Sequence, residues 1–265
     1  MITHLIDRSK NHSMKKLIFF ISALTILVIS GTGQPKGNSD HAPSNQLYTK
    51  ILQKYVNSSG LVNYKGLKND KAEFEQYLKL LSSNPPSDKW SNNEKKAYWI
   101  NAYNAFTLKL IVDNYPVKSI KDIGPSIQIP FVNTPWQKEF FKIGGQDMKL
   151  DRIEHDILRK QFNDPRIHFT LVCASRSCPK LRNEAYEAAR LDEQLNEQGR
   201  SFLADRSKNI ITSDKLQLSK IFSWFKGDFT KNGSLIDFLN RFSPVKINKD
   251  ADIDHLSYNW NLNEQ

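Results

Sequence analysis

Two cysteines, Cys173 and Cys178, stand five residues apart in the stretch RIHFTLVCASRSCP (166–179), and the 265-residue chain has no others. Three chemistries fit such a pair. In an oxidising compartment a turn between them can bring their Cα atoms to the roughly 5.5 Å that a disulfide needs, and the bond then fixes the ASRS turn. As a redox pair they would exchange with other thiols, although their spacing is C-x-x-x-x-C rather than the C-x-x-C of dedicated oxidoreductases. As a nucleophile, Cys173 would need its thiolate favoured by a cation, a helix N-terminus or an imidazole. Arg176 lies between the cysteines, and histidines stand upstream at His155 and His168.

The run Arg166–Cys173 reads as a strand. Its period of two puts Ile167, Phe169, Leu171 and Cys173 on one face and His168, Thr170 and Val172 on the other. A dyad of Cys173 with His168 is therefore disfavoured, and His155, beside Glu154 on the preceding helix, is the better base. Glu154 and His155 are adjacent, so their side chains diverge and form no dyad with each other. Asn101 and Asn104 share one helix face, being three residues apart. Asparagine is a poor interior helix residue, and a buried amide must find partners. These two either brace a neighbouring loop or line a cleft, where an amide can stabilise an oxyanion. If the His168 face looks into that helix, the imidazole meets Asn101 or Asn104 and can move a proton near neutral pH. A His168→Gln replacement would then abolish activity and leave the melting temperature within a few degrees. Asp228 is the carboxylate of note in the aromatic stretch SKIFSWFKGDF (219–229). No zinc spacing, phosphate-binding loop or nucleophile elbow is present. No cofactor is expected, and nothing in the spacing of His155, His168 and the acids demands a metal.

These residues need elements to hold them. Leu47, Ile51, Leu52 and Tyr55 recur at helical spacing over Asn45–Val56, and Gly60 breaks that helix. Tyr64–Leu81 reads as a second helix ended by Pro85 and Pro86. Ser91 with Glu94 three residues on is a capping box opening a helix to Asn114, apolar nearly all round and so buried. Extended pieces follow at Ile127–Val132 and Trp136–Ile143, with a hairpin at Gly144–Gly145 returning to Leu150. Asp151–Gln161 is a helix. Glu184–Ala204 is largely helical with a break near Arg190. A hairpin turns at Ser213–Asp214, two short helices cover Lys220–Phe229 and Leu235–Phe242, and LSYNWNL (256–262) is extended. The sum is an α+β fold in a single domain, a long buried helix and further helices packed on an antiparallel sheet. That order is similar, at the level of fold alone, to papain- and transglutaminase-like proteins.

Residues 14–33 read MKKLIFFISALTILVISGTG. Two lysines precede an apolar run, Leu17–Ile29, that is too short for the about 20 residues of a membrane span and suits the core of a secretory signal. The expectation is a signal peptide over 1–33 with the true start at Met14, cleaved before Gln34, then a disordered leader over 34–44 and one domain over 45–263. Export permits a disulfide. The net charge of +10 loses Arg8, Lys10, Lys15 and Lys16 with the signal, against Asp7, and the mature chain stays basic. Its lysines are scattered, so nucleic acid is not an expected partner; the membrane is met only through the signal segment.

The landmarks GLVNY (60–64), WINAYNA (99–105), LDRIEHDILR (150–159), DPRIHFTLVCASRSCPKLR (164–182), LSKIFSWFKGDF (218–229) and YNWNLN (258–263) together resemble the domain of unknown function 547 family, over about residues 45 to 263. The resemblance implies a fold and a set of landmark residues rather than a reaction. Relatives of this kind look like exported bacterial proteins or domains of larger eukaryotic ones, some joined to glutaredoxin-like modules. The family's usual YDW-LN ending stands here with Asn259 in place of the acid. Three functions follow as expectations for a periplasmic or secreted protein acting on an envelope substrate or partner. One is a hydrolase or acyl transferase with His168 or His155 as base, Asn101 or Asn104 at an oxyanion, and Cys173 as nucleophile. The others are a non-catalytic binding or scaffold domain with a structural Cys173–Cys178 disulfide, and a thiol oxidoreductase.

Overall fold

A computed structural model describes residues 39–129 and 132–265. The expected signal peptide over 1–33, its start at Met14 and the first part of the leader lie outside the described residues. Residues 39–44, from the stretch read as a leader, are held at the start of the long helix: Trp90 donates its indole N–H to the Ser39 carbonyl (3.0 Å), and the Ala42 N–H reaches Glu94 (3.3 Å).

α1 (Gln46–Tyr55) buries Tyr48, Ile51, Leu52 and Tyr55, an i, i+3, i+4, i+7 stripe. The helix expected over Tyr64–Leu81 is two, α2 (Tyr64–Asn69) and α3 (Ala72–Ser83). Asn63 caps the first through a bond from the Gly66 N–H, and the chain turns at Asp70 and Lys71 before restarting. α4 (Asn92–Asn114) has the expected capping box of Ser91 and Glu94 and is buried from Ala97 to Val112 at most positions. α2 and α3 both pack on it, which is why its apolar surface runs all round.

The sheets are small. β1 (Phe141–Ile143) and β2 (Gln146–Met148) form the expected hairpin. Gly144 and Gly145 turn it with φ of +59° and +80°, the left-handed conformation that a two-residue hairpin loop demands. β3 (Ile210–Ile211) and β4 (Lys215–Leu218) form the second hairpin. β5 (Asp252–His255) joins β4 in parallel, so this sheet is mixed where an antiparallel one was expected. The stretch Ile127–Val132 holds no strand among its described residues, and 256–262 forms no strand either, though a bridge joins its Leu262 to Ser175.

The helix expected over Asp151–Gln161 exists, but most of it, Arg152–Leu158, is a π-helix that runs into α5 (Arg159–Gln161). A 3₁₀ turn, Ala188–Arg190, precedes α6 (Leu191–Ala204). After the second hairpin come α7 (Ile221–Trp224), α8 (Lys226–Phe229) and α9 (Leu235–Leu239). No described helix is long and apolar enough to cross a membrane.

The strand expected over Arg166–Cys173 is the main correction. Pro165–Phe169 is a 3₁₀ turn, followed by irregular chain to the cysteine. Asp164 caps the turn by accepting the Arg166 N–H (3.2 Å), and Thr170 closes it onto the Ile167 carbonyl (2.7 Å). Two hydrophobic cores meet here. Ile167, Leu171 and Val172 belong to the core built on α1–α4. Phe169 is fully buried in the other, its ring 5.6–6.0 Å from those of Phe202, Phe222, Phe229, Phe238 and Phe242. Alternating apolar residues arise because the segment is buried on all sides at the seam, not because it is pleated. The helix-start pair Asp164–Pro165, an N-cap followed by proline at the first helical position, is the signal that the alternation concealed.

Candidate functional site

Cys173 and Cys178 are joined by a disulfide. The loop it closes is pinned at many points. Ala174 adopts φ +56°, a left-handed conformation that costs a residue with a Cβ about 1 kcal/mol. Its carbonyl accepts the Asn263 N–H (3.1 Å), and the Arg176 N–H donates to the Asn261 carbonyl (2.8 Å). The Arg176 guanidinium bonds the Leu262 and Glu264 carbonyls (3.2 and 2.8 Å). Arg176, expected beside a thiolate, therefore straps the C-terminal segment to the loop. The same segment reaches GLVNY: Tyr64 donates to Asn263 Oδ1 (2.7 Å), and Asn263 Nδ2 to the Gly60 carbonyl (3.3 Å). Asn259 accepts the Asn261 N–H through its side chain (2.9 Å). A carboxylate would accept that N–H equally well, so the amide in place of the family's acid leaves this turn intact.

Around the bond the two sulfurs differ. Cys178 is 3% exposed, whereas Cys173 is only partly buried. Cys178 Sγ receives the Cys173 N–H (2.9 Å), the Ser175 hydroxyl (3.4 Å) and the Tyr258 hydroxyl (3.3 Å). Both hydroxyls are also within 3.4 Å of Cys173 Sγ. Burial pushes the Tyr258 phenol above its ordinary range, so it stays a protonated donor. Tyr258 clusters with Trp224 and Trp260, their ring centroids 4.8 and 4.6 Å from its own and 5.8 Å from each other. Trp224 is 48% exposed, and Lys121 lies 5.1 Å over the Trp260 ring.

Neither histidine meets the cysteines. His168 is buried, its ring stacked 3.9 Å from Phe225 and its Nε2 2.7 Å from Asp228 Oδ2. Arg159 grips the same carboxylate with two N–H groups (2.6 and 2.9 Å) and puts a third on His155 Nδ1 (2.8 Å). His155 Nε2 lies 3.6 Å from Asp151. Burial opposes the Asp228 charge, but the bonds from His168 and Arg159 outweigh it and hold the carboxyl far below its usual range. Asp151, His155, Arg159, Asp228 and His168 thus form one chain of polar contacts, two members of it on the π-helix and α5 and Asp151 just before the π-helix. The His168 encounter with Asn101 or Asn104 does not occur. Glu154 turns inward, as its divergence from His155 required, and accepts the Tyr103 hydroxyl (3.1 Å).

The two asparagines are clamps. Asn101 donates to the Tyr186 carbonyl and accepts the Tyr186 N–H, both at 2.9 Å. Asn104 donates to the Thr170 carbonyl (2.9 Å) and accepts the Val172 N–H (3.0 Å). Each amide is buried with its bonds committed to backbone. Of the residues expected to converge, the fold gathers Cys173, Cys178 and Arg176 in one loop and places Asn104 directly behind it. Among the described residues, His155 and His168 bond elsewhere. Ser175 and Tyr258 are the contributors that sequence reasoning missed; YNWNLN was legible as a landmark, but no local signal says which aromatic faces the sulfurs.

The burial of His168 revises the expected effect of replacing it. His168→Gln removes the stack on Phe225 and the hydrogen bond to Asp228, which costs about 1–3 kcal/mol. For a domain of this size that is a drop of several degrees, readable in a thermal melt. Unchanged melting would mean that the Asp228 contact contributes nothing net.

Residues 87–203 match a family model described as "Protein of unknown function, DUF547". The match supports assigning the chain to this family. The matched DUF547 stretch runs through α4, the π-helix, the 3₁₀ turn at 165–169 and the disulfide loop to α6, the elements that carry Asn101, Asn104, His155, His168 and both cysteines. No curated protein and no solved structure matches the chain.

Proposed function

We propose that this protein is exported to the periplasm or beyond and acts there through thiol–disulfide exchange at Cys173–Cys178. The observation that carries the reading is the asymmetry of the pair: a partly exposed Cys173 against a buried Cys178 whose sulfur alone receives a backbone N–H, with the Ser175 and Tyr258 hydroxyls in reach of both sulfurs. A purely structural disulfide needs no such donors; a departing thiolate does, since each stabilises the negative charge that develops on it. In exchange, the thiolate of a partner dithiol attacks Cys173 Sγ. The S–S bond breaks, and its electron pair leaves on Cys178. The partner's second thiol, giving up its proton, then attacks its own sulfur in the mixed disulfide and releases Cys173 as a thiolate. The partner is oxidised and the protein is left as a dithiol, to be reoxidised by a more oxidising protein disulfide. The strained φ of Ala174 beside Cys173 fits a loop whose geometry is imposed for chemistry. The signal-like segment 14–33 supports export, where such partners fold.

A hydrolase or acyl transferase with Cys173 as nucleophile would need a base beside it, and the polar bonds of both histidines run to Asp228, Asp151 and Arg159 instead. The asparagine clamps favour a scaffold role for α4, which serves the exchange reading equally well.

Equilibration in glutathione buffers, followed by counting free thiols, tests the proposal. Exchange-active pairs have reduction potentials between about −270 and −120 mV, and structural disulfides lie below about −300 mV. A midpoint within the first range is expected; one below about −300 mV would make the bond a staple.

A further inference from the structure

A second feature stands apart from the disulfide. Between the first turn of α4, the loop 161–166 and the α8–α9 region lies a cavity of about 540 Å³, a volume typical of small-ligand sites. Four carboxamides line it, Asn92, Gln161, Asn163 and Asn232. None of these side chains bonds another described residue, and each offers two donors and an acceptor.

The charges at the cavity cancel. Lys96, Arg166 and Arg241 face it along with Asp164, Asp228 and Asp237. Lys96 and Arg166 both pair with Asp164, at 2.8 and 2.9 Å, and Arg166 pairs with Asp192 as well (2.7 Å). Asp228 is held by Arg159 and His168, and Asp237 accepts from Ser234. The Arg241 guanidinium carbon lies 5.7 and 5.3 Å over the rings of Phe238 and Phe242. An anion trap would show surplus cations, and a cation site surplus acids. What this cavity presents is a neutral field rich in groups that both donate and accept, with only the edges of the largely buried Phe162, Phe229 and Phe238 rings at its floor.

A hydroxyl also both donates and accepts, and a sugar ring adds an apolar C–H face that packs on aromatic edges. We infer that the cavity binds a neutral oligosaccharide, held by the carboxamides and carboxylates and packed against the phenylalanines. The inference is independent of exchange at Cys173–Cys178.

Calorimetric titration of the whole protein with maltotriose and with N-acetylated chitotriose tests it, with inorganic phosphate as the contrasting probe. Saturable binding of at least one trisaccharide is expected, with Kd below about 1 mM. The Asn163→Ala/Asn232→Ala double variant is expected to weaken it about tenfold or more, a difference of about 1.4 kcal/mol, with an unchanged thermal melt. Asn232→Ala alone, on an exposed turn, gives the same test should the double variant fold poorly. Binding untouched by these variants, or none by either sugar at about 10 mM, overturns the assignment. So does phosphate binding that outcompetes both sugars and fades with salt, the mark of an anion site.

Discussion

Asn104→Ala is expected to lose about 3–5 kcal/mol of stability, one of the largest single-residue effects in this protein. The amide bonds the Thr170 carbonyl and the Val172 N–H, at a site 3% exposed where water has no ready entry. Alanine leaves both backbone groups without partners, and each orphaned buried group costs about 1–3 kcal/mol. Asn101→Ala does the same to both sides of Tyr186. Total stabilities of about 5–15 kcal/mol leave little margin for the double variant, which should be largely unfolded at 37 °C. Asn104→Asp is a sharper probe than alanine: it keeps the acceptor for Val172 but turns an oxygen towards the Thr170 carbonyl. It should therefore remain destabilised. Urea unfolding with a fixed slope reads these values. A loss below about 1 kcal/mol for Asn104→Ala would mean that water or loop relaxation replaces the amide, and the clamp would not be what holds the approach to Cys173.

How the cysteine loop is supported also explains what could be read from the sequence. α4 was legible in full because its signals are local: a capping box at Ser91 and Glu94, an unbroken apolar run, and a proline two residues past its last turn. The hairpin at Gly144–Gly145 was legible because a two-residue loop needs left-handed conformations that glycine adopts freely. The segment 166–173 was misread for a reason that is not local. Its alternation is that of a chain lying between two cores, Ile167 and Leu171 committed to one and Phe169 to the other. Period two carries the same message for a pleated strand and for a buried irregular run. The partners of His168 were hidden for a similar reason. Asp228 lies 60 residues downstream, on a short helix whose aromatic neighbours look like core from sequence alone, so the residue could be singled out but its partner could not. Asn101 and Asn104 were legible as buried amides with two possible uses, and only their committed bonds tell which use applies.

Replacing the cysteines one at a time should separate exchange from stapling by the difference between the two variants rather than by the effect of either. Cys173→Ser and Cys178→Ser both open the same loop, which spans five residues from one cysteine to the other. Both forfeit the same chain-entropy stabilisation, about 2 kcal/mol, so their melting temperatures should fall together. Their thiols should not behave alike. Cys178→Ser leaves Cys173 partly exposed beside the Tyr258 and Ser175 hydroxyls, open to oxidised glutathione or to a partner's disulfide. Cys173→Ser leaves Cys178 at 3% exposure beneath the loop, where attack requires local opening. An opening free energy of about 3 kcal/mol slows that thiol by about 10²-fold. Cys178→Ser is therefore expected to form mixed disulfides at least about 10²-fold faster at equal pH, and to accumulate them with partner proteins because no second thiol resolves them. Adding Tyr258→Phe to Cys173→Ser should slow the remaining thiol further, since it removes a donor to the thiolate. Alkylation and glutathionylation rates followed by mass spectrometry measure all three. Equal rates for the two single variants would leave the bond with a staple's role, because thiols of like reactivity mean that the burial and the donors around Cys178 do not direct which sulfur is attacked.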